Sequence, residues 1–163
     1  MPTVNRTALV RHTPQQMFDL VNDFERYPEF LPGCRRARLL EHDADHLIGE
    51  MTLGRAGVEQ TITTRNNLFA PERIELSLVK GPFKQLKGRW LFTPMGEDAC
   101  KVSLEMEFVF ANRLLSMAFG KLFQQISTLS LYFSCISVGL PIKLLLRGKC
   151  SFETLYQGMI LFV

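Results

Sequence analysis

From Arg36 to Phe110 apolar residues recur at every second position in six successive runs, and from Asn112 the period becomes that of a helix. The runs are Ala37/Leu39, Leu47/Gly49/Met51/Leu53, Val58/Gln60/Ile62/Thr64, Ile74/Leu76/Leu78, Leu86/Gly88/Trp90/Phe92 and Val102/Leu104/Met106/Phe108/Phe110. Turn residues separate them at hairpin distances: His42 to Asp45, Gly54 to Gly57, Ala70-Pro71, Gly81-Pro82 and Pro94 to Gly96. In the last run Lys101, Ser103, Glu105 and Glu107 alternate with the apolar set. A sheet built this way is antiparallel, with one face in water.

Before these runs, Val4, Ala8 and Val10 share one phase and predict a half-buried first strand. Thr13-Pro14-Gln15-Gln16 supplies an N-cap, a proline at the first helical position and a glutamine three residues after the cap. A short helix follows, with Met17, Leu20 and Val21 expected on its apolar side. The stretch Tyr27-Pro28-Glu29-Phe30-Leu31-Pro32-Gly33 is expected to be an ordered, packed turn. After Asn112, Leu115, Phe119, Leu122, Ile126, Leu129, Phe133, Ile136 and Leu140 are spaced alternately by four and three. One long helix must then cover the apolar face of a seven-stranded sheet, an α+β arrangement. A single helix cannot fill the concave side of a curved sheet, so a cavity is expected between them. Its lining by phase is Ile62, Leu76, Leu78, Trp90, Met106 and Phe108, facing Leu115, Phe119 and Phe123.

At 163 residues, 47% of them apolar, the chain can bury one sizeable core without covalent staples. Residues 1–140 are expected to form that domain, and 141–163 an atypical apolar tail that adds nothing to it. Between Lys121 and Lys143 lie 21 uncharged residues, the length of a membrane span. Serines, glutamines, Gly139 and Pro141 make it a poor one. Cys34, Cys100, Cys135 and Cys150 show no C-x-x-C spacing, and the first residues lack the apolar core of a signal peptide, so free thiols in a cytoplasmic protein are expected. A formal net charge of +3 is too small for a dedicated nucleic-acid binder but compatible with weak attraction to phosphate-rich partners, and no DNA partner is expected.

Enzyme chemistry finds little to work with. His42-Asp43-Ala44-Asp45-His46 holds two imidazoles and two carboxylates, but its i, i+4 spacing aligns metal ligands only on a helix, and the segment is predicted to be a turn. Cys34 beside Arg35 and Arg36 invites the idea of an activated thiol, yet no histidine lies near it in sequence. No catalytic residue, metal or cofactor is assigned. Two basic groups stand out: Arg35, Arg36 and Arg38, and Lys84, Lys87 and Arg89 along one strand's outward side.

The opening Val4 to Asp23, the turn Arg26 to Cys34 and the stretch Gly88-Arg89-Trp90-Leu91-Phe92 closely resemble the bacterial branch of the coenzyme Q-binding START-like family, which includes ribosome-association toxins. The likeness runs from about Thr3 to about Ser127; beyond Thr128, Leu131, Cys135 and Val138 stand where members carry charges. It implies a helix-grip fold with a hydrophobic tunnel. It further implies binding of a polyprenyl quinone such as ubiquinone in some members, and attachment to the large ribosomal subunit that hinders subunit joining in others. The leading expectation is the first, non-catalytic binding of a quinone-like lipid: Gln60 and Thr64 would donate to a quinone carbonyl inside the lined cavity, in a protein that supports respiration and touches the inner membrane peripherally. On the second, the two basic groups would hold ribosomal RNA phosphates.

Overall fold

A computed structural model describes residues 3–31, 33–55 and 57–126. Strand β1 (Thr3–Val10) leads into helix α1 (Pro14–Asn22), a 3-10 turn (Phe24–Arg26) and the short helix α2 (Tyr27–Phe30). Six strands follow: β2 (Cys34–His42), β3 (His46–Arg55), β4 (Val58–Phe69), β5 (Arg73–Lys80), β6 (Phe83–Pro94) and β7 (Cys100–Phe110). Helix α3 runs over Arg113–Ile126. The strands form one sheet in the order β1-β7-β6-β5-β4-β3-β2, every neighbouring pair antiparallel. This is the expected curved seven-stranded sheet with a helix after its last strand.

Local chemistry sets the connections. Asp43 accepts the backbone N–H groups of Asp45 and His46 at 2.9 and 2.8 Å, which closes the β2–β3 turn. Gly57 and Gly96 take φ values of +79° and +113°, a region that disfavours any side chain, and each sits in a hairpin turn. Thr13 caps α1 reciprocally with Gln16: its hydroxyl accepts the Gln16 N–H at 3.2 Å, and its own N–H donates to Gln16 Oε1 at 2.9 Å. The buried side chains of α1 are Met17, Phe18 and Val21. Leu20 is half-buried and packs against the core as expected, and Phe18 joins that side, its ring meeting Phe92 of β6 edge-on at 5.9 Å.

The turn after α1 is helical and packed. Tyr27 is buried and donates its hydroxyl to the Val21 carbonyl at 2.6 Å, and burial pushes its pKa well above the usual phenol range. Phe24 lies over the backbone of Gly49, where an added Cβ would come within 2.7 to 2.8 Å of the ring. Gly49 is therefore a place for Phe24 to sit.

Four irregularities in register shape the sheet. They fall at Arg35, Leu40, Val79 and Lys84. A bulged residue leaves the pleat's alternation. Leu40 and Val79, apolar by sequence, are accordingly 47% and 55% exposed.

Along α3, Phe119 and Phe123 are buried and Leu115 is half-buried, so the helix covers the concave face. Asn112 accepts the Leu115 N–H at 2.9 Å and caps it. Phe123 meets Phe108 at 4.8 Å and Phe83 at 4.9 Å between ring centroids, and Phe83 meets Phe110 at 4.7 Å. The expected continuation of the helix to Leu140, with Leu129, Phe133 and Ile136, and the tail 141–163 lie outside the described residues. Among the described residues no helix is long and apolar enough to cross a membrane.

Candidate functional site

Paired residues across a ladder share a face, so the register orders the concave interior into rows. One row runs Val4, Met106, Gly88, Leu76, Asn66 and Leu47. Beside it Phe108 pairs with Leu86, and Leu78 with Thr64 and Gly49. Every expected lining residue is on this side. Ile62, Thr64, Trp90, Met106, Phe108, Phe119 and Phe123 are buried; Gln60, Leu76, Leu78 and Leu115 are half-buried.

The interior is not uniform. At the β6–β7–α3 end the rings of Phe83, Phe108, Phe110 and Phe123 touch one another and fill the space. At the centre of the sheet, on β4, two polar side chains in the same inward phase point into the apolar interior. Thr64 is 1% exposed and Asn66 4%, and neither the Thr64 hydroxyl oxygen nor Asn66 Oδ1 has a hydrogen-bond partner. Leaving such groups unpaired costs about 1–3 kcal/mol each. Sequence reasoning missed Asn66, although it continues the inward phase of Gln60, Ile62 and Thr64 by one more step.

The convex face carries the basic residues. Arg35, Arg36 and Arg38 border a depression of about 610 Å³ between Pro28 and strands β2–β4, with Thr52 and Thr61 also lining it. The two threonine hydroxyls pair at 3.1 Å. Arg38 meets Glu50 at 2.7 Å and Arg36 meets Glu59 at 3.7 Å, whereas Arg35 has no carboxylate partner among the described residues. Lys87 and Arg89 line a second convex depression of about 580 Å³ with Glu75, Glu105 and Glu107, and Arg89 pairs with Glu105 at 2.6 Å. Lys84 does not join them. It occupies the register shift at the start of β6 and lines a third depression, of about 430 Å³, with Arg113, Ser116 and Gly120 of α3.

The remaining candidates have plain roles. Burial pushes the Cys34 thiol up to about 11, the opposite of activation. Cys100 is raised for the same reason. His46 lies 2.9 Å from Asp43 and 3.5 Å from Glu41 in a turn, and the described residues hold no metal-ligating group of three. The Asp43 carboxyl is held below its ordinary value, first by the His46 N–H and then by that of Asp45.

A family model described as polyketide cyclase / dehydrase and lipid transport matches residues 10–132. The chain belongs to this family. Within it, the chain is 47% identical over 128 residues to the ribosome association toxin RatA of Vibrio cholerae, covering 78% of this chain and 89% of the relative. It is 23% identical over 119 residues to a mitochondrial coenzyme Q-binding protein of Schizosaccharomyces pombe, covering 68% and 71%. A crystal structure of a Thermus thermophilus protein superposes with a TM-score of 0.67 at 15% identity, covering 91% of this chain and all of the other, and so shares the fold. Family membership and the helix-grip architecture expected from the opening strand, the Tyr27–Gly33 turn and the Gly88–Phe92 stretch are thereby both established.

Proposed function

We propose that this chain attaches to the large ribosomal subunit and hinders subunit joining, without catalysing a reaction. The observation that carries this reading is the depression bordered by Arg35, Arg36 and Arg38, where three guanidinium groups face only two paired carboxylates. Guanidinium forks match phosphate oxygens in pairs. Exposed ion pairs such as Arg36–Glu59 hold by at most about 1 kcal/mol, so they open readily for a polyanion. The relative named a ribosome association toxin supports the same partner. The test is co-sedimentation of the full chain with isolated ribosomal subunits. Replacing Arg35, Arg36, Lys87 and Arg89 by Ala is expected to weaken pelleting with the large subunit and to flatten its salt dependence by roughly one unit of log slope for each phosphate no longer held. Unchanged pelleting and slope would overturn the assignment.

A second reading is favoured by one specific observation, the unpartnered pair Thr64 and Asn66 among apolar side chains. On this reading the concave interior holds the polar head of a quinone-like lipid, with Leu76 and Leu78 along its apolar part. The coenzyme Q-binding relative supports that class of ligand. Mass spectrometry of lipids extracted from the natively purified chain tests it: a prenylated quinone absent from the Thr64→Val/Asn66→Leu variant is the expected result, and equal lipid in both would contradict it.

A further inference from the structure

An antiparallel meander sends successive turns to opposite ends of the sheet, and here the two ends carry opposite charge. The connections at residues 43–45, 70–72 and 95–99 contain Asp43, Asp45, Glu72, Glu97 and Asp98, which outnumber Arg11 of the β1–α1 connection and the flanking Arg73 and Lys101 at this end. The other end holds Gly57 and the connections at 81–82 and 111–112, flanked by the exposed Lys80, Lys84 and Arg113. Glu59, a carboxylate near this end, is turned to Arg36 at 3.7 Å. The Ala111 N–H donates to the Pro82 carbonyl at 2.8 Å, which ties the β5–β6 turn to the start of α3.

The same end exposes apolar side chains. Leu114 and Met117 are 78% and 80% exposed, and Val79 is pushed out by its register shift to 55%. Leu114, Met117 and Lys121 follow one another at i, i+3 and i+7, a single outward stripe of α3 opposite the buried Phe119 and Phe123. No acidic residue occurs in α3. Cations set among exposed aliphatic and thioether groups suit the boundary of a bilayer: the apolar groups enter it while the lysine and arginine heads meet anionic headgroups. Single-stranded RNA would instead call for exposed aromatic rings, and none is found at this end among the described residues.

We propose that this end, built from Val79, Lys80, Lys84, Arg113, Leu114 and Met117, docks on an anionic lipid surface, a property beyond ribosome attachment. The acidic opposite end is repelled by such a surface and orients the molecule. Flotation of the full chain with vesicles tests this, comparing phosphatidylcholine alone with phosphatidylcholine containing roughly one-third phosphatidylglycerol. The chain is expected to float with the anionic vesicles only and to be released by salt. Lys80→Glu/Lys84→Glu/Arg113→Glu is expected to weaken partitioning at least about a hundredfold, and Leu114→Ser/Met117→Ser about tenfold. All five positions are exposed, so thermal midpoints should hold, and the salt titration of the unmodified chain needs no substitution at all. Absence of flotation would overturn the proposal. So would equal flotation with neutral vesicles or undiminished flotation of the triple variant, either of which would assign binding to the apolar sequence after Lys121. Loss of ribosome pelleting by the triple variant with vesicle binding intact would assign this end to RNA.

Discussion

The two faces of the sheet are finished differently. On the convex face polar groups find partners at the surface, Arg38 with Glu50, Arg89 with Glu105 and Thr52 with Thr61. In the concave face Thr64 and Asn66 keep unpaired atoms out of water, a few steps from a ring cluster packed tightly together. A pair on the wet face can be redirected to a new partner at little cost. An unpaired group in the dry face weakens the fold continuously unless a partner reaches it. On the two proposed readings a charged macromolecule would meet the exterior and a small amphiphile the centre of the interior.

The largest effect is expected where the interior is complete. Phe108→Ala removes a ring that touches Phe83, Phe110 and Phe123, and should destabilise the chain by about 3–5 kcal/mol, read as a fall in thermal midpoint on the order of 10 °C. A loss under about 1 kcal/mol would mean that these rings do not fill this end. Next comes Gly49→Ala, whose new methyl would meet the Phe24 ring at 2.7 to 2.8 Å. Overpacking of this kind costs about 1–3 kcal/mol. Combining it with Phe24→Leu should give less than the sum of the two single losses in denaturant midpoints.

At the centre the sign reverses. Thr64→Val and Asn66→Leu replace unpaired polar atoms by apolar ones, so stability should hold or rise by about 1 kcal/mol in urea titrations. A loss as large as that of Phe108→Ala would show that both groups are already satisfied and would remove the contrast. The smallest effect concerns the β2–β3 turn. The Asp43 carboxyl has a lowered folded pKa, so its contribution is present above the ordinary carboxylate value of 3.8 and is lost as pH falls through the folded value. Asn keeps the acceptor oxygen and removes only the charge. The difference in thermal midpoint between parent and Asp43→Asn should therefore be small at neutral pH and vanish in strong acid; a difference that persists there would point to geometry instead of charge.

Much of this fold is legible in the sequence. Each period-two run forms a strand because alternation is the pleat itself, and Thr13 with Gln16 caps α1 because a capping box is a local hydrogen-bond pattern. What spacing cannot show is non-local. The pairing of Arg36 with Glu59 and of Arg89 with Glu105 depends on the register between strands. The shift that separates Lys84 from Lys87 and Arg89 is invisible to spacing, as is the one that turns Val79 outward. Phe18 joins Met17, Leu20 and Val21 on the apolar side because Phe92, far along the chain, supplies the ring it meets. Asn66 was within reach: the inward phase of β4 simply runs one residue pair further than Thr64.

On the proposed function, ribosome attachment belongs to the convex face and not to the interior. Density-gradient sedimentation of two full-length variants with large ribosomal subunits tests it most directly. Thr64→Val/Asn66→Leu should travel with the subunit as the parent does, and the variant lacking Arg35, Arg36, Lys87 and Arg89 should stay at the top of the gradient. The opposite pattern, with attachment abolished on changing Thr64 and Asn66 and kept without the four cations, would contradict the account.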